Sequence, residues 1–222
     1  MVRLTLNPST KKTSIRSDDR KLRLGIFGGT FDPPHIGHLI LADEARFQLD
    51  LDTILWVLTP SPPHKGNRSI SSLELRLTLL KAAIQDQPHF SLSTVDIDRS
   101  PPHYAVDTVR LIARQFPGAI MCYLVGGDSL HDLPKWHLPQ DFLAQCSTLG
   151  VMRRPGDQVD LPSLEGELPG ISERVHWIHA PLMEISATNI REKIRSGQSF
   201  QYYLHPAVYQ LICAKRYYQE DK

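Results

Sequence analysis

A parallel β-sheet covered by helices on both faces is the fold class this sequence predicts, and three observations carry it. From about residue 21 onward, short apolar runs of strand length alternate with segments of helical periodicity. The first run, Leu22 to Phe27, passes through Gly28 and Gly29 into a helix-starting pattern, as a strand does when it opens a βαβ unit. The run Ile120 to Val125 is apolar at every position, the pattern of a strand buried on both faces.

The elements follow in order. Residues 1 to about 20 carry Lys11, Lys12, Arg16, Asp18, Asp19 and Arg20 among Ser and Thr without apolar periodicity, which predicts a mobile tail ahead of one domain over 21–222. A strand is expected at 22–27, a helix near 36–49 with Ile36, Leu39, Ile40 and Phe47 inward, and a strand at 53–58. A polar, Pro-rich loop covers 59–70, and Ser71 or Ser72 with Glu74 can cap a helix running to about Asp86. A short strand at 90–95 leads through the Asp98–His103 loop to a helix at 104–115. The strand at 120–125 ends in Gly126-Gly127-Asp128-Ser129, which reads as a ligand-facing turn. A strand at 147–152, an irregular Pro/Gly-rich segment at 155–172 and a last strand at 174–178 precede a helical C-terminus, 187–196 and 206–217. In parallel sheets of this kind ligands bind beyond the carboxyl ends of the strands.

Composition narrows the function. A net charge of +1 over 222 residues argues against coating nucleic acid or lying on a membrane, so the expected partner is a small molecule. No apolar run approaches the roughly 20 residues of a membrane span. Cys122, Cys146 and Cys213 show neither CxxC spacing nor a nearby histidine cluster, which reads as reduced thiols in a cytoplasmic protein. Oligomeric state is left open, including a homo-oligomer.

The chemistry concentrates in Gly28-Gly29-Thr30-Phe31-Asp32-Pro33-Pro34-His35-Ile36-Gly37-His38. The glycines let the backbone approach a ligand, and the prolines impose an extended entry that ends where a helix can begin. His35 and His38 then lie about 60° apart round the first turn, beside amides that lack intrahelical partners. Two imidazoles at the positive end of a helix form a phosphate site. A glycine pair or a lone histidine is by itself ordinary; the ordered combination serves no single packing purpose. Ser186 and Thr188 precede a second helical pattern, with Arg191 three positions after Thr188. A hydroxyl and a guanidinium on one face can grip phosphate oxygens, although a capped helix with a surface Arg would look the same. His64 and Lys65 lie in a loop able to reach over phosphates, or simply to be solvated. Neither GxxxxGK[ST] nor GxGxxG is present, which argues against P-loop and dehydrogenase chemistry.

Together with Pro62-Pro63-His64-Lys65, LVGGDSL at 124–130, the downstream Trp136, VMRRPG at 151–156 and ISATNIR at 185–191, these motifs resemble the nicotinate mononucleotide adenylyltransferases of bacterial NAD synthesis, within the HxGH nucleotidyltransferase superfamily. The resemblance runs from about Leu24 to the C-terminus. It implies a Rossmann-like sheet, and transfer of AMP from ATP to nicotinate mononucleotide with Mg2+ held mainly by ATP phosphates, so no protein metal ligand is named. It implies catalytic roles for His35, His38 and Arg191. Gly28, Gly29, Thr30, Phe31, Gly126, Asp128, Ser186 and Thr188 would complete the ATP site. His64, Lys65, His103, Tyr104, Trp136 and Arg154 would form the pyridine-nucleotide site, with Trp136 stacked on the pyridine ring. The chain departs from the family at Pro102-His103-Tyr104-Ala105, where relatives read Pro-Ser-Tyr-Thr; the missing hydroxyl bears on the choice between acid and amide, and His103 is a candidate replacement. Rival readings are an amide-preferring or phosphopantetheine-directed nucleotidyltransferase, a class I aminoacyl-tRNA synthetase, whose HIGH signature His35 to His38 spells without a KMSKS partner, and a non-catalytic nucleotide sensor.

Overall fold

The computed structural model describes residues 20–61, 70–153, 159–181 and 183–219. Its strands are β1 (Arg23–Gly29), β2 (Thr53–Leu58), β3 (Phe90–Ser93), β4 (Ile120–Gly126), β5 (Thr148–Met152) and β6 (Val175–Ile178), joined in one parallel sheet of order β3-β2-β1-β4-β5-β6. Helices α1 (Ile36–Gln48), α2 (Leu73–Ile84), α3 (Ala105–Gln115), α4 (Gly127–His131), α5 (Pro139–Gln145), α6 (Leu161–Glu167), α7 (Ala187–Arg195) and α8 (Pro206–Lys215) cover both faces. The architecture is the predicted α/β, Rossmann-like one with a helical C-terminus. Among the described residues no helix is long and apolar enough to cross a membrane.

Alternation along the strands builds two cores. Ile54, Trp56 and Leu58 of β2 join Cys122 and Leu124 of β4 against α1, α2, α7 and α8. Their neighbours Leu55, Val57, Tyr123 and Val125 join Leu24 and Ile26 against α3, α5 and α6. A two-residue period with both faces apolar explains why these strands read as continuous hydrophobic runs. β1 lies between β2 and β4, so the chain leaves it in opposite directions on its two sides, and a crevice opens at the carboxyl ends of β1 and β4.

Two expectations are corrected. The buried face of α1 is Gly37, Leu41, Ala42 and Ala45, whereas Ile36, Leu39 and Ile40 are half-buried and Phe47 is 78% exposed. Small residues let the helix lie close to the sheet; ranking positions by apolar bulk picks the wrong stripe. The segment 155–172 is not irregular throughout, because Asp160 accepts the Ser163 N–H at 3.2 Å and caps α6, with Pro162 in its first turn. The sequence reading also passed over α5 and a 3-10 turn at Leu133–Lys135, both too short for periodicity to show. Cys122, Cys146 and Cys213 are free thiols, and burial pushes Cys146 up to about 12.

Candidate active site

The loop after β1 is shaped by what lies beneath it. Phe31 adopts φ +47°, a left-handed conformation costing roughly 1–2 kcal/mol for an L residue. It turns the ring into the core, where it is 2% exposed and meets Phe27 edge-on at 5.4 Å, a burial that offsets about 2 kcal/mol. Gly28 and Gly29 sit under side-chain tips: a Cβ would lie 2.9 Å from the Tyr123 hydroxyl at the first and 2.9 Å from the Phe31 ring at the second, so either side chain would have to shift. Gly126 differs. It lines the cleft at φ −83°, and a Cβ there would meet no protein atom within 4 Å, so its bareness leaves room in the cleft itself.

His35 is the N-cap of α1 and is 5% exposed. Its ring stacks on His38 with centroids 3.6 Å apart. A side chain at Gly37 would stand 3.1 Å from His35 Nδ1, so this glycine lets the ring lie against the first turn. The His35 N–H donates to His38 Nδ1 at 3.1 Å. Because Nδ1 accepts, the neutral His38 ring carries its proton on Nε2, at the other edge. Phe31 packs edge-on beneath His38 at 5.2 Å.

The start of α7 faces this pair. Ser186 Oγ accepts the Asn189 N–H at 3.1 Å, the predicted cap, which leaves the hydroxyl proton available for donation. Arg191 donates from Nη1 to the Asp32 carbonyl at 2.6 Å, and its Nη2 lies 3.5 Å from Thr188 Oγ1. Asp32, absent from the candidate residues read from sequence, is 5% exposed beside this guanidinium. Arg76, also missed, is 2% exposed and donates to the carbonyls of Ser71, Thr30, Thr59 and Pro60 at 2.8 to 3.0 Å. One side chain thus ties the loops after β1 and β2 to the start of α2. Burial lowers the affinity of Arg76 for its proton, and the Asp32 charge opposes that shift. The signal for Arg76 was present: a charge among Leu79, Leu80 and Ala83 on one helical stripe.

At the other end, Trp136 packs against Phe142 at 5.3 Å and Tyr123 at 6.3 Å while also lining the cleft. Tyr104 stacks on His137 at 4.0 Å, a neighbour the sequence reading did not name. His103 is buried, and its nitrogens face Ser61 O and Arg99 O, both at 3.4 Å. Its polar atoms are directed at backbone. Arg153 lines the cleft and lies over the Trp177 ring at 4.2 Å.

One cleft of about 450 Å³ gathers Gly28, Gly29, Thr30, Phe31, His35, His38, His103, Tyr104, Gly126, Asp128, Trp136, Ser186, Thr188 and Arg191. His64, Lys65 and Arg154 lie outside the described residues.

The sequence profile of the cytidylyltransferase-like family matches residues 26–193. A protein of Thermomicrobium roseum named probable nicotinate-nucleotide adenylyltransferase is 41% identical over 89% of this chain and 92% of its own length. One of the same name from Exiguobacterium sibiricum is 37% identical over 86% of this chain and 96% of its own. The solved Plasmodium falciparum nicotinic acid mononucleotide adenylyltransferase complexed with NaAD shares the fold at a TM-score of 0.72 and 17% identity, covering 89% of this chain and 97% of that one. By profile and by these relatives, the chain belongs to the cytidylyltransferase-like family, in its nicotinate-nucleotide adenylyltransferase branch.

Proposed function

We propose that this chain transfers AMP from ATP to nicotinate mononucleotide, giving nicotinate adenine dinucleotide and pyrophosphate. The observation that carries this reading is the stacked His35–His38 pair at one helix start, facing Arg191 and Ser186 at another across a single cleft. A phosphate monoester is mostly dianionic at neutral pH, its second pKa being near 6, so the nucleophile needs no general base. Its oxygen bonds to the α-phosphorus while the bond to the bridging oxygen breaks, and pyrophosphate leaves with the electron pair. The barrier is charge on the phosphoryl oxygens, which positioned donors lower.

His38 Nε2–H and the His35 ring donate to oxygens of the transferring phosphoryl group. Ser186, Thr188 and Arg191 hold the β- and γ-phosphates. The backbone from Gly28 to Phe31 follows the triphosphate, and the adenosine passes Gly126 with Asp128 accepting from a ribose hydroxyl. Trp136 stacks on the pyridine ring beside Tyr104, and His64, Lys65 and Arg154 contact the mononucleotide. His103 borders this pocket, where its ring N–H donates to one of the two backbone carbonyls it faces, Ser61 or Arg99.

Mg2+, held mainly by the triphosphate oxygens, would neutralise part of their charge. Both oxygens of Asp32, the carboxylate beside Arg191, accept hydrogen bonds from the protein, which leaves the triphosphate oxygens as the principal ligands on this reading. All reactants are small and soluble, so the reading places the enzyme in the cytoplasm without nucleic-acid or membrane partners, as a monomer or homo-oligomer.

One observation favours a second reading. With Ala105 lacking a hydroxyl and the His103 nitrogens directed at backbone, nicotinamide mononucleotide is the competing acceptor. The test supplies ATP, Mg2+ and each mononucleotide, then quantifies pyrophosphate and dinucleotide. Turnover with the acid form is expected; turnover with the amide alone selects the second reading, and none with either overturns both.

A further inference from the structure

Asp32 is an anomaly in a cleft otherwise suited to anions: a carboxylate, 5% exposed, beside the guanidinium assigned to phosphate. Its contacts resolve the anomaly. Oδ2 accepts the Ser71 N–H at 3.1 Å and stands 3.9 Å from Arg191 Nη1, too far for a close ion pair. Oδ1 accepts the Tyr218 hydroxyl at 2.8 Å. Tyr218 follows α8 by three positions, where Arg216 at φ +53° and Tyr218 at φ +64° both take left-handed conformations that L side chains avoid. The turn brings the phenol back to the loop after β1, 186 residues away in sequence.

We propose that Tyr218 is a positioning residue for Arg191: by holding the Asp32 carboxylate from the far side, its hydroxyl keeps that charge from closing on the guanidinium, which stays directed at phosphate. The inference rests on the adenylyl-transfer reading of the cleft. Burial, and the adjacent Asp32 charge, push the phenol well above its ordinary range, so it remains a donor at all working pH. Without that donor, Oδ1 is a buried acceptor lacking its partner, beside a guanidinium whose Nη1 already donates to the Asp32 carbonyl at 2.6 Å and stands 3.9 Å from Oδ2. A carboxylate closing the gap to Arg191 would compete directly with the triphosphate for the same nitrogens. The phosphate subsite therefore includes the C-terminal turn, although that turn lies outside the matched profile.

The experiment compares wild type, Tyr218→Phe, Arg191→Lys and the double variant in steady-state assays with ATP and nicotinate mononucleotide, with melting temperatures alongside. Tyr218→Phe keeps the ring and is expected to raise the KM for ATP about tenfold, the scale of one charge-assisted hydrogen bond. The mononucleotide KM should stay at its wild-type value, the melting temperature should fall by only a few degrees, the cost of one unpaired buried oxygen, and the double variant should be no worse than Arg191→Lys alone. An unchanged ATP KM, a matching rise in both KM values, a melting temperature low enough to account for the loss, or strictly additive effects would each overturn the proposal. Should the wild type form no dinucleotide, the adenylyl-transfer reading fails by itself, and calorimetric titration of ATP into the same four proteins decides the role of Tyr218 by the same pattern in Kd.

Discussion

The two ends of the cleft are held by two different arginines, and the contrast shows where this molecule resists change. At the phosphate end Arg76 is almost wholly buried and binds four backbone carbonyls from three segments. At the pyridine end Arg99 is partly exposed and binds the carbonyls of Pro102 and Tyr104, with its charge paired to the buried Asp96 at 3.0 Å. Arg76 joins remote loops, while Arg99 organises a single loop only nine residues from its farthest partner, Thr108. On the proposed reading, the first arrangement would fix backbone for the phosphate groups. The second borders aromatic side chains, Tyr104 stacked on His137 and the nearby Trp136.

The strongest challenge to that contrast is Arg76→Met, which keeps the aliphatic packing and strands four carbonyls. It should destabilise the fold by about 3 kcal/mol, read in urea or thermal unfolding, because lost bonds to a buried charge are not replaced by water. Arg99→Met combined with Asp96→Asn, which removes the buried carboxylate charge together with its partner, should cost clearly less; equal losses would erase the distinction between the two ends. Next in size, His38→Ala should lower kcat about a hundredfold with the fold intact, the scale for one positioned transition-state donor. Wild-type turnover in that variant would remove His38 from the phosphoryl group.

The same contrast accounts for what was legible in the sequence. Strands buried on both faces announce themselves as continuous apolar runs, so Ile120 to Val125 was read nearly as found. The phosphate end was legible because backbone constraints are local: Gly37 must be bare for the His35 ring to lie over it, and Ser186 must cap where α7 begins. Asp32 stood in plain sight within the same motif, yet its function depends on Ser71 and Tyr218, which periodicity cannot bring together. The sequence offered no signal for Tyr218. At the pyridine end, His137 escaped notice because its partner Tyr104 lies on another loop. The α1 face departs from its apolar pattern for a related reason: close approach of Gly37, Ala42 and Ala45, not side-chain volume, decides packing there.

At the pyridine end the expected effects are smaller and fall on binding. Trp136→Ala should raise the mononucleotide KM about tenfold, with the ATP KM and kcat little changed, since an aromatic contact contributes roughly 1 kcal/mol beyond burial. Loss of stability without a change in KM would assign the indole to the core formed with Phe142 and Tyr123.

The smallest effect sharpens the comparison furthest. His137 is exposed and touches the cleft through its stack on Tyr104 at 4.0 Å, so it can bear on substrate with almost no share in the fold. His137→Ala should therefore leave the unfolding midpoint unchanged and raise the mononucleotide KM by about threefold, within the range of one lost aromatic pair. If Tyr104 meets the pyridine ring as proposed, the stack would set the face it presents, so the ratio of acid to amide turnover should shift in this variant and remain constant in His38→Ala. An altered ratio in both would mean that the phosphate end also selects the acceptor, and the division of labour between the two arginine-held loops would fail.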